Sequence, residues 1–282
     1  MNRKKLIFVT NDDGYASSGF AAAIDVAREM GNVIAVAPRT PQSGRSQAIT
    51  LTEELMLEKV HDSDGVEIYT LTGTPTDCVK VAFDHMLGNR RVDMVISGIN
   101  HGSNSAINVL YSGTMGAAIE GSFYGFRSIG LSLTDHSPNA DFTAAKHYAR
   151  RIIRAVFDEA ITPGLPFCLN VNVPDLQQEQ IRGIRFCRQC RGIWREQFSP
   201  TVYPDGRISF TMSGAYTNYE PDAEDTDEWA LANGYVSVVP IQVDMTSYAH
   251  RPDIERILNR CRDTRPAAHT TQHCLTHNDT SL

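Results

Sequence analysis

Asp12 and Asp13 stand side by side directly after a short apolar run, Leu6-Ile7-Phe8-Val9, in the segment Thr10-Asn11-Asp12-Asp13-Gly14. Two like charges at adjacent positions repel, and each resists ionising beside the other. A divalent cation bound through oxygen resolves that conflict. The pair therefore predicts a metal site. Other polar segments supply candidate partners: Gln42-Ser43-Gly44, Gly73-Thr74-Pro75-Thr76-Asp77 and Ser97-Gly98-Ile99-Asn100. Asp12, Asp13, the hydroxyl of Ser43 and the amide oxygen of Asn100 would form an all-oxygen set. Hard ligands of this kind favour Mg²⁺, Mn²⁺ or Ca²⁺ over zinc. Singly, each residue has a plainer reading, since an Asp pair in a turn is usually a solvated cap and Ser43 and Asn100 alone are loop residues. Their joint occurrence carries the expectation.

Tyr111-Ser112-Gly113-Thr114-Met115-Gly116-Ala117-Ala118 adds an anion-binding side. It places hydroxyls and a glycine where a helix should start, and free N–H groups with the helix dipole favour a phosphate there. Gly116, Ala117 and Ala118 also suit tight helix packing, and the two readings are compatible. A metal beside a phosphate-binding helix end suggests phosphoester hydrolysis, in which the cation polarises a phosphoryl oxygen and acidifies water. His101 could protonate a leaving group and Arg45 could meet a phosphate, although a solvated loop residue is the plainer reading of each. The chain has no Gly-x-x-x-x-Gly-Lys-Ser/Thr loop, no Gly-x-Gly-x-x-Gly after the first apolar run and no Gly-x-Ser-x-Gly elbow. Those gaps weigh against ATPase, dinucleotide oxidoreductase and serine hydrolase chemistry.

The elements that must position these residues alternate from the start. Leu6 to Val9 reads as a buried strand. Ser18 caps a helix that Gly31 stops, and Asn32 to Ala37 is a second buried strand, ended by Pro38. Ile49 to Val60 and Val66 to Leu71 read as extended segments around an Asp62-Ser63-Asp64-Gly65 turn. Thr74-Pro75-Thr76-Asp77 is a helix start with cap, proline and acid in agreement. Val92 to Ile96 is a strand that opens into a polar loop from Ser97 to Asn104, and a small-residue helix follows from about Ser112. Ser128 to Leu133 and Phe167 to Val173 are strands flanking an amphipathic helix from Asp141 to Ala160. This alternation predicts an α/β fold: a three-layer, Rossmann-like, mostly parallel sheet with helices on both faces. In such a sheet the loops at the carboxyl ends of the strands converge on one edge, where ligands bind.

The character changes after Pro174. Ile184 to Gln189, Trp194 to Ser199 and Arg207 to Met212 look like strands, with Tyr203-Pro204-Asp205-Gly206 as a turn. A protruding β-hairpin with an exposed Trp194 is poorly stable alone, so a second subunit is expected against it. Tyr235 to Val243 should return to the core. The expected organisation is a catalytic core over 1–180, a hairpin and C-terminal oligomerisation segment over 181–261, and a disordered tail over 262–282.

Composition sets the outer limits. At 282 residues, 41% hydrophobic and 21% charged, the chain is an ordinary globular one, and its formal charge of -7 argues against a broad nucleic-acid surface. Six cysteines show no regular framework, and no signal peptide or membrane span is apparent, so a cytoplasmic protein with reduced thiols is expected. Cys187-Arg-Gln-Cys190 has the spacing of half a zinc site, but no second pair completes it.

The ordered segments Val9-Thr10-Asn11-Asp12-Asp13-Gly14-Tyr15, Gln42-Ser43-Gly44-Arg45-Ser46, Gly73-Thr74-Pro75-Thr76-Asp77-Cys78, Ser97-Gly98-Ile99-Asn100-His101-Gly102, Tyr111-Ser112-Gly113-Thr114 and Gly234-Tyr235-Val236-Ser237 resemble those of the SurE family of metal-dependent nucleotidases. The resemblance spans most of residues 5–245. It implies hydrolysis of nucleoside 5′- and 3′-monophosphates with one Mg²⁺ or Mn²⁺ ion, and Asp12, Asp13, Ser43 and Asn100 as ligands. It further implies phosphate contacts from Asn104, Ser112, Gly113 and Thr114, and a homodimer or homotetramer built through the hairpin and an exchanged C-terminal segment. One departure stands out: family loops carry a glycine two residues after the position of Asn104, where this chain has Ala106. Two other readings compete: a phosphatase with a covalent aspartyl-phosphate, and a nucleotide or metal sensor without turnover.

Overall fold

β1 (Leu6–Thr10) is buried at every position, and its alternate side chains enter two different cores. Ile7 and Val9 join one apolar cluster, and Leu6 and Phe8 join another on the opposite face. That division, from the period of two in a strand, defines a sheet covered on both sides. The computed structural model describes residues 3–88, 90–160 and 166–261.

α1 (Ser18–Arg28) follows β1, then β2 (Asn32–Pro38), β3 (Leu57–Ser63), β4 (Val66–Leu71) and α2 (Pro75–Val81), which runs into a wider turn over Ala82–Met86. β5 (Met94–His101), α3 (Gly113–Phe123), β6 (Arg127–Leu133), α4 (Thr143–Asp158) and β7 (Cys168–Val173) complete the alternating part. β8 (Ile184–Phe186), the hairpin strands β9 (Gly192–Val202) and β10 (Ile208–Asn218), α5 (Asp227–Ala232) and β11 (Val236–Ile241) come next. The nine-stranded sheet has the order β3-β4-β2-β1-β5-β6-β7-β11-β8. All pairings are parallel except β3 with β4 and β11 with β7. α1 and α4 cover one face, supplying Phe20, Ala23, Ala149 and Ile153 to its core. α2 covers the other with Cys78 and Val79, and α3 packs beside it.

The α/β, mostly parallel architecture agrees with the expectation from sequence, and local differences have local causes. Ser17, not Ser18, caps α1, its hydroxyl accepting the Phe20 N–H. The capping box at Thr74 and Asp77 forms as expected. Ile49 to Met56 is not a strand. There the Thr50 N–H and hydroxyl both bind the Asp77 carboxylate, at 3.0 and 2.6 Å, so a side chain takes the place of a ladder partner. Conversely, Ser97 to His101, expected as loop, continues β5. β6 lies alongside, pairing Ser97 with Gly130 and Asn100 with Ser132 around an irregularity at Gly98-Ile99. Gly98 sits at φ 133°, and a Cβ there would lie 2.3 Å from the Leu131 carbonyl oxygen.

The hairpin strands are longer than expected, at 11 residues each. Trp194 is half-buried rather than exposed, because its indole Nε1 donates to Asn108 Oδ1 of the same chain at 2.6 Å. Register places Phe198, Pro200 and Val202 opposite Met212, Phe210 and Ile208, on one face of the ribbon, and all but Pro200 are large apolar side chains more than half exposed. The described part of the compact unit ends at Val243, and the described residues 244–261 cluster separately. Within that second unit, α6 (Arg251–Arg260) carries Ile254, Ile257 and Leu258 at helical spacing. The tail expected to be disordered lies outside the described residues.

Candidate active site

The sheet reverses its order of growth at β1. From β1 the chain moves outward to β2 and β4, then crosses back to place β5 on the other side of β1. Such a switch point opens a crevice at the carboxyl ends of the two central strands. Asp12 and Asp13 leave β1 there, and Asn100 is at the end of β5.

Asp12 is only 3% exposed. Its Oδ1 accepts the Thr114 hydroxyl, and its main-chain carbonyl accepts the Gln42 N–H at 2.7 Å. The first bond ties β1 to the start of α3, and the second ties it to the loop carrying Ser43. That loop is anchored again where the Ser46 N–H donates to the Tyr111 carbonyl at 2.9 Å and the Ser46 hydroxyl to the Leu110 carbonyl at 2.6 Å. Gly116 permits the approach, since a Cβ there would lie 2.6 Å from the Ser46 carbonyl oxygen. Asp13 Oδ2 accepts the His101 N–H at 3.1 Å, which sets Asn100 beside the pair. Asn100 Nδ2 donates to the Gly102 carbonyl at 2.8 Å, which leaves its amide oxygen to face elsewhere. Asp12, Asp13 and Asn100 thus gather at one edge with the Ser43 loop against them, and Ser43 itself is exposed.

Burial pushes the Asp12 carboxyl up to about 6, opposed by the Thr114 hydroxyl and reinforced by the charge of Asp13. Burial also raises Asp13, against the pull of the His101 N–H and imidazole. Neither carboxylate has a salt bridge to a lysine or arginine among the described residues. Thr10 Oγ1 and Asn11 Oδ1 just before the pair, Thr76 Oγ1 in the first turn of α2 and Ser97 Oγ in β5 are buried without a hydrogen-bond partner. A buried, oxygen-rich edge that carries negative charge and lacks a cationic side chain suits a hard divalent cation. No group of three His, Cys, Asp or Glu side chains comes together among the described residues to offer a softer set.

Proton and cation then compete for Asp12. A carboxyl raised by folding stabilises the metal-free fold below the ordinary carboxylate range, and this contribution is lost as pH rises through about 6. A cation needs the ionised form. Mn²⁺ affinity measured by calorimetry should therefore fall about tenfold per pH unit below the Asp12 midpoint and level off above it. The rise in Tm on adding Mn²⁺ should be larger at pH 7.5 than at pH 5, and the reverse order would contradict a carboxylate site.

Ser112 caps α3, its Oγ accepting the Met115 N–H at 3.0 Å, so its own proton remains free to donate. Gly113 follows as the first helical residue. Thr114, the second residue of α3, donates its hydroxyl to Asp12. Asn104 is buried, with Nδ2 donating to Ser132 Oγ at 2.9 Å. Its N–H donates to Asn172 Oδ1 and its carbonyl accepts from Asn170 Nδ2, both at 2.8 Å. Ser132, Asn170 and Asn172 were not anticipated, although two amides at alternate positions of an otherwise apolar core strand, Asn170-Val171-Asn172-Val173, were the available signal. His101 does not turn its ring to the carboxylates. Nδ1 contacts the Ser137 carbonyl at 2.9 Å and Nε2 the Ser18 hydroxyl at 3.3 Å. A carbonyl only accepts, so Nδ1 donates to it, and both ring nitrogens are turned to Ser137 and Ser18 rather than to the carboxylates. Arg45 is exposed.

Ala106 settles the departure noted in the sequence. It adopts φ 50°, the left-handed region a glycine enters freely, so the segment keeps the glycine conformation without the glycine. This conformation costs a non-glycine residue about 1–2 kcal/mol. Part of the gain on substitution is offset by the greater freedom of glycine in the unfolded chain. Ala106→Gly should raise Tm by about 2 °C, read by calorimetry.

Three comparisons bear on this arrangement. A family model described as Survival protein SurE matches residues 7–196. The 5′-nucleotidase SurE of Cytophaga hutchinsonii is 48% identical over 245 residues, covering 87% of this chain and 93% of that protein. The 5′-nucleotidase SurE of Flavobacterium johnsoniae is 46% identical over 248 residues, with 88% and 94% covered. The crystal structure of the SurE protein from Aquifex aeolicus superposes with a TM-score of 0.77 at 35% identity, covering 90% of this chain and 99% of that one. With its family match spanning most of the core and its acidic pair at the switch point, the chain belongs to the Survival protein SurE family.

Proposed function

We propose that this protein is a phosphomonoesterase that hydrolyses nucleoside 5′-monophosphates, and 3′-monophosphates as well, to nucleoside and phosphate. The observation that carries the reading is the apposition of the buried Asp12 and the half-buried Asp13 with the N-terminus of α3, to which Asp12 is joined through Thr114. The names of the relatives agree with it. Asp12, Asp13, Ser43 and Asn100 would hold one Mg²⁺ or Mn²⁺ ion, which supplies Lewis acidity toward a phosphoryl oxygen and toward water. The free hydroxyl of Ser112 and the first N–H groups of α3 bind the phosphate, and their preorganised dipoles stabilise charge on it as the ester breaks. Thr114 fixes the rotamer of Asp12, and the Ser132, Asn170 and Asn172 side chains fix Asn104 beneath the phosphate.

The apolar face of the hairpin, with Phe198, Val202, Ile208, Phe210 and Met212 exposed together, supports association into a homodimer or homotetramer. No helix among the described residues is long and apolar enough to cross a membrane. The lack of a regular cysteine framework supports a cytoplasmic setting with reduced thiols.

Phosphate release from 5′-AMP and 3′-AMP with Mn²⁺, Mg²⁺ or EDTA tests the reading. Release with either metal that stops on chelation is the expected result. No release from either nucleotide with any metal would leave a binding or sensor role. A phosphoryl group trapped on Asp12 or Asp13 would instead establish the covalent route, against which the direct adjacency of the two residues speaks.

A further inference from the structure

α5 opens with two acids, Asp227 and Glu228, that play no part in the site described above. Asp227 is fully buried, yet no cationic side chain pairs with it among the described residues. Its carboxylate instead gathers backbone N–H groups from three places. Oδ2 accepts from Ala106 at 2.8 Å, and Oδ1 accepts from Cys190 at 2.9 Å and from Glu228 at 2.9 Å. Glu228 Oε1 accepts the Ser105 hydroxyl. Ser105 Oγ lies 2.5 Å from Ser103 Oγ, which in turn reaches Asn172 Oδ1 at 3.3 Å. That same Asn172 oxygen takes the Asn104 N–H.

The segment from Ser103 to Ala106 is therefore held from two sides. The sheet grips Asn104 through Ser132, Asn170 and Asn172, and α5 grips Ser105 and Ala106. The second grip holds the one residue of the segment in the left-handed region, a conformation alanine keeps only where surrounding contacts impose it. The Cys190 N–H extends the same carboxylate to the base of the hairpin, two residues before β9.

We propose that Asp227 and Glu228 are positioning residues for phosphate binding: they fix the Ser103–Ala106 segment, and through it Asn104, at the carboxyl edge of the sheet. The identity of the bound group rests on the phosphomonoesterase reading, but the mechanical role does not. Neither acid touches the metal-ligand set, so removing one loosens the phosphate side and leaves the cation side intact.

Three variants test this. Asp227→Asn keeps the shape but presents an NH₂ group to one of the N–H donors it formerly accepted. Glu228→Ala removes the Ser105 anchor at a half-buried position that the fold tolerates more easily. Glu228→Gln retains an acceptor and serves as the conservative rescue. With Glu228→Ala and Asp227→Asn, KM for 5′-AMP and the Kd for inorganic phosphate with Mn²⁺ present should each rise about tenfold, the scale of one lost buried hydrogen bond. Mn²⁺ affinity should stay within about twofold of wild type, because no proposed ligand is touched. Glu228→Gln should stay close to wild type in both KM and phosphate affinity. A purely structural role predicts a lower Tm and a smaller active fraction with KM and phosphate affinity unchanged, and that result would overturn the proposal. Native-state hydrogen exchange gives a readout that needs no substrate. Faster exchange at Ser105 and Ala106 in Glu228→Ala, with unchanged exchange around Asp12, supports the anchoring role, and no change there removes it. A wild-type protein that releases no phosphate would overturn the functional reading alone, since the exchange result stands apart from it.

Discussion

Asp12→Asn should lower metal-dependent phosphate release from 5′-AMP by about 10³-fold or more, while the metal-free protein becomes more stable at neutral pH. Both halves follow from one placement. Asp12 is almost fully buried and its carboxyl is raised to about 6, so at pH 7 the ionised form opposes folding when no cation is present. The amide has the same shape and can keep the bond to the Thr114 hydroxyl through its oxygen. The Gln42 N–H binds the main chain of Asp12 and does not depend on the side chain at all. The fold around the residue therefore survives, and the unfavourable charge is gone. A shift of this size corresponds to about 3 kcal/mol at most, so a rise of several degrees in the Tm of the metal-free protein is expected at pH 7.5, shrinking toward pH 5. The catalytic loss has the opposite origin, because a neutral amide is a far weaker ligand for a hard cation and lowers its Lewis acidity at the phosphoryl oxygen. Steady-state kinetics with Mn²⁺, run beside calorimetry of the same preparation in EDTA, reads both. Activity within tenfold of wild type would move the metal site away from Asp12. A lower apo Tm at neutral pH would mean that the carboxylate is compensated by a partner other than a cation.

The features that were legible in the sequence are those in which residue type and local structure agree. Buried strands such as Leu6 to Val9 and Val33 to Val36 announce themselves by apolar runs between turn signals, and the Thr74-Pro75-Thr76-Asp77 start carries its own cap. The acidic pair was visible because adjacent carboxylates after a core strand are electrostatically unfavourable without a cation. What escaped were positions where tertiary contacts override local preference. Ser97 to His101 is polar and glycine-containing, yet β6 pairs with it beyond Ile96 and the strand continues. Ile49 to Met56 has strand-forming residues, yet Asp77 takes the Thr50 N–H that a neighbouring strand would need. The bond from the Thr114 hydroxyl to Asp12, 102 residues earlier, joins two elements that no local pattern connects. Asp227 and Glu228 drew no reading from the sequence. Their partners, Ala106 and Ser105, lie 121 and 123 residues earlier, a separation no local pattern can show.

Gly113→Ala should cost about a hundredfold in kcat/KM for 5′-AMP while the protein stays folded, because a small displacement of a reacting group has that effect on rate. A Cβ at position 113 would lie 2.8 Å from Asp12 Cβ, 3.1 Å from Asp12 Oδ2 and 3.2 Å from Pro75 Cγ. Backbone conformation is no obstacle, since Gly113 is the first residue of α3 and alanine is the better helix former. The whole cost is therefore steric, and it falls on the neighbour least able to avoid it. Asp12 is held at its main chain by Gln42 and at its side chain by Thr114, and Pro75 is fixed at the start of α2 by the capping box. The added methyl must push the carboxylate, the helix start or both. Overpacking of this kind costs about 1–3 kcal/mol, partly offset by the helix propensity of alanine, so Tm should fall by only a few degrees. Mn²⁺ affinity measured by calorimetry should weaken together with the loss of rate, which separates displacement of the ligand from a loss of phosphate binding alone. Activity within about twofold of wild type would show that Asp12 can move without consequence, and that the close contact between β1 and α3 serves packing only. The expected loss instead locates the function in that contact. The end of one strand brings the charge that a cation needs, the start of one helix brings the N–H groups that a phosphate needs, and only a glycine lets the two meet.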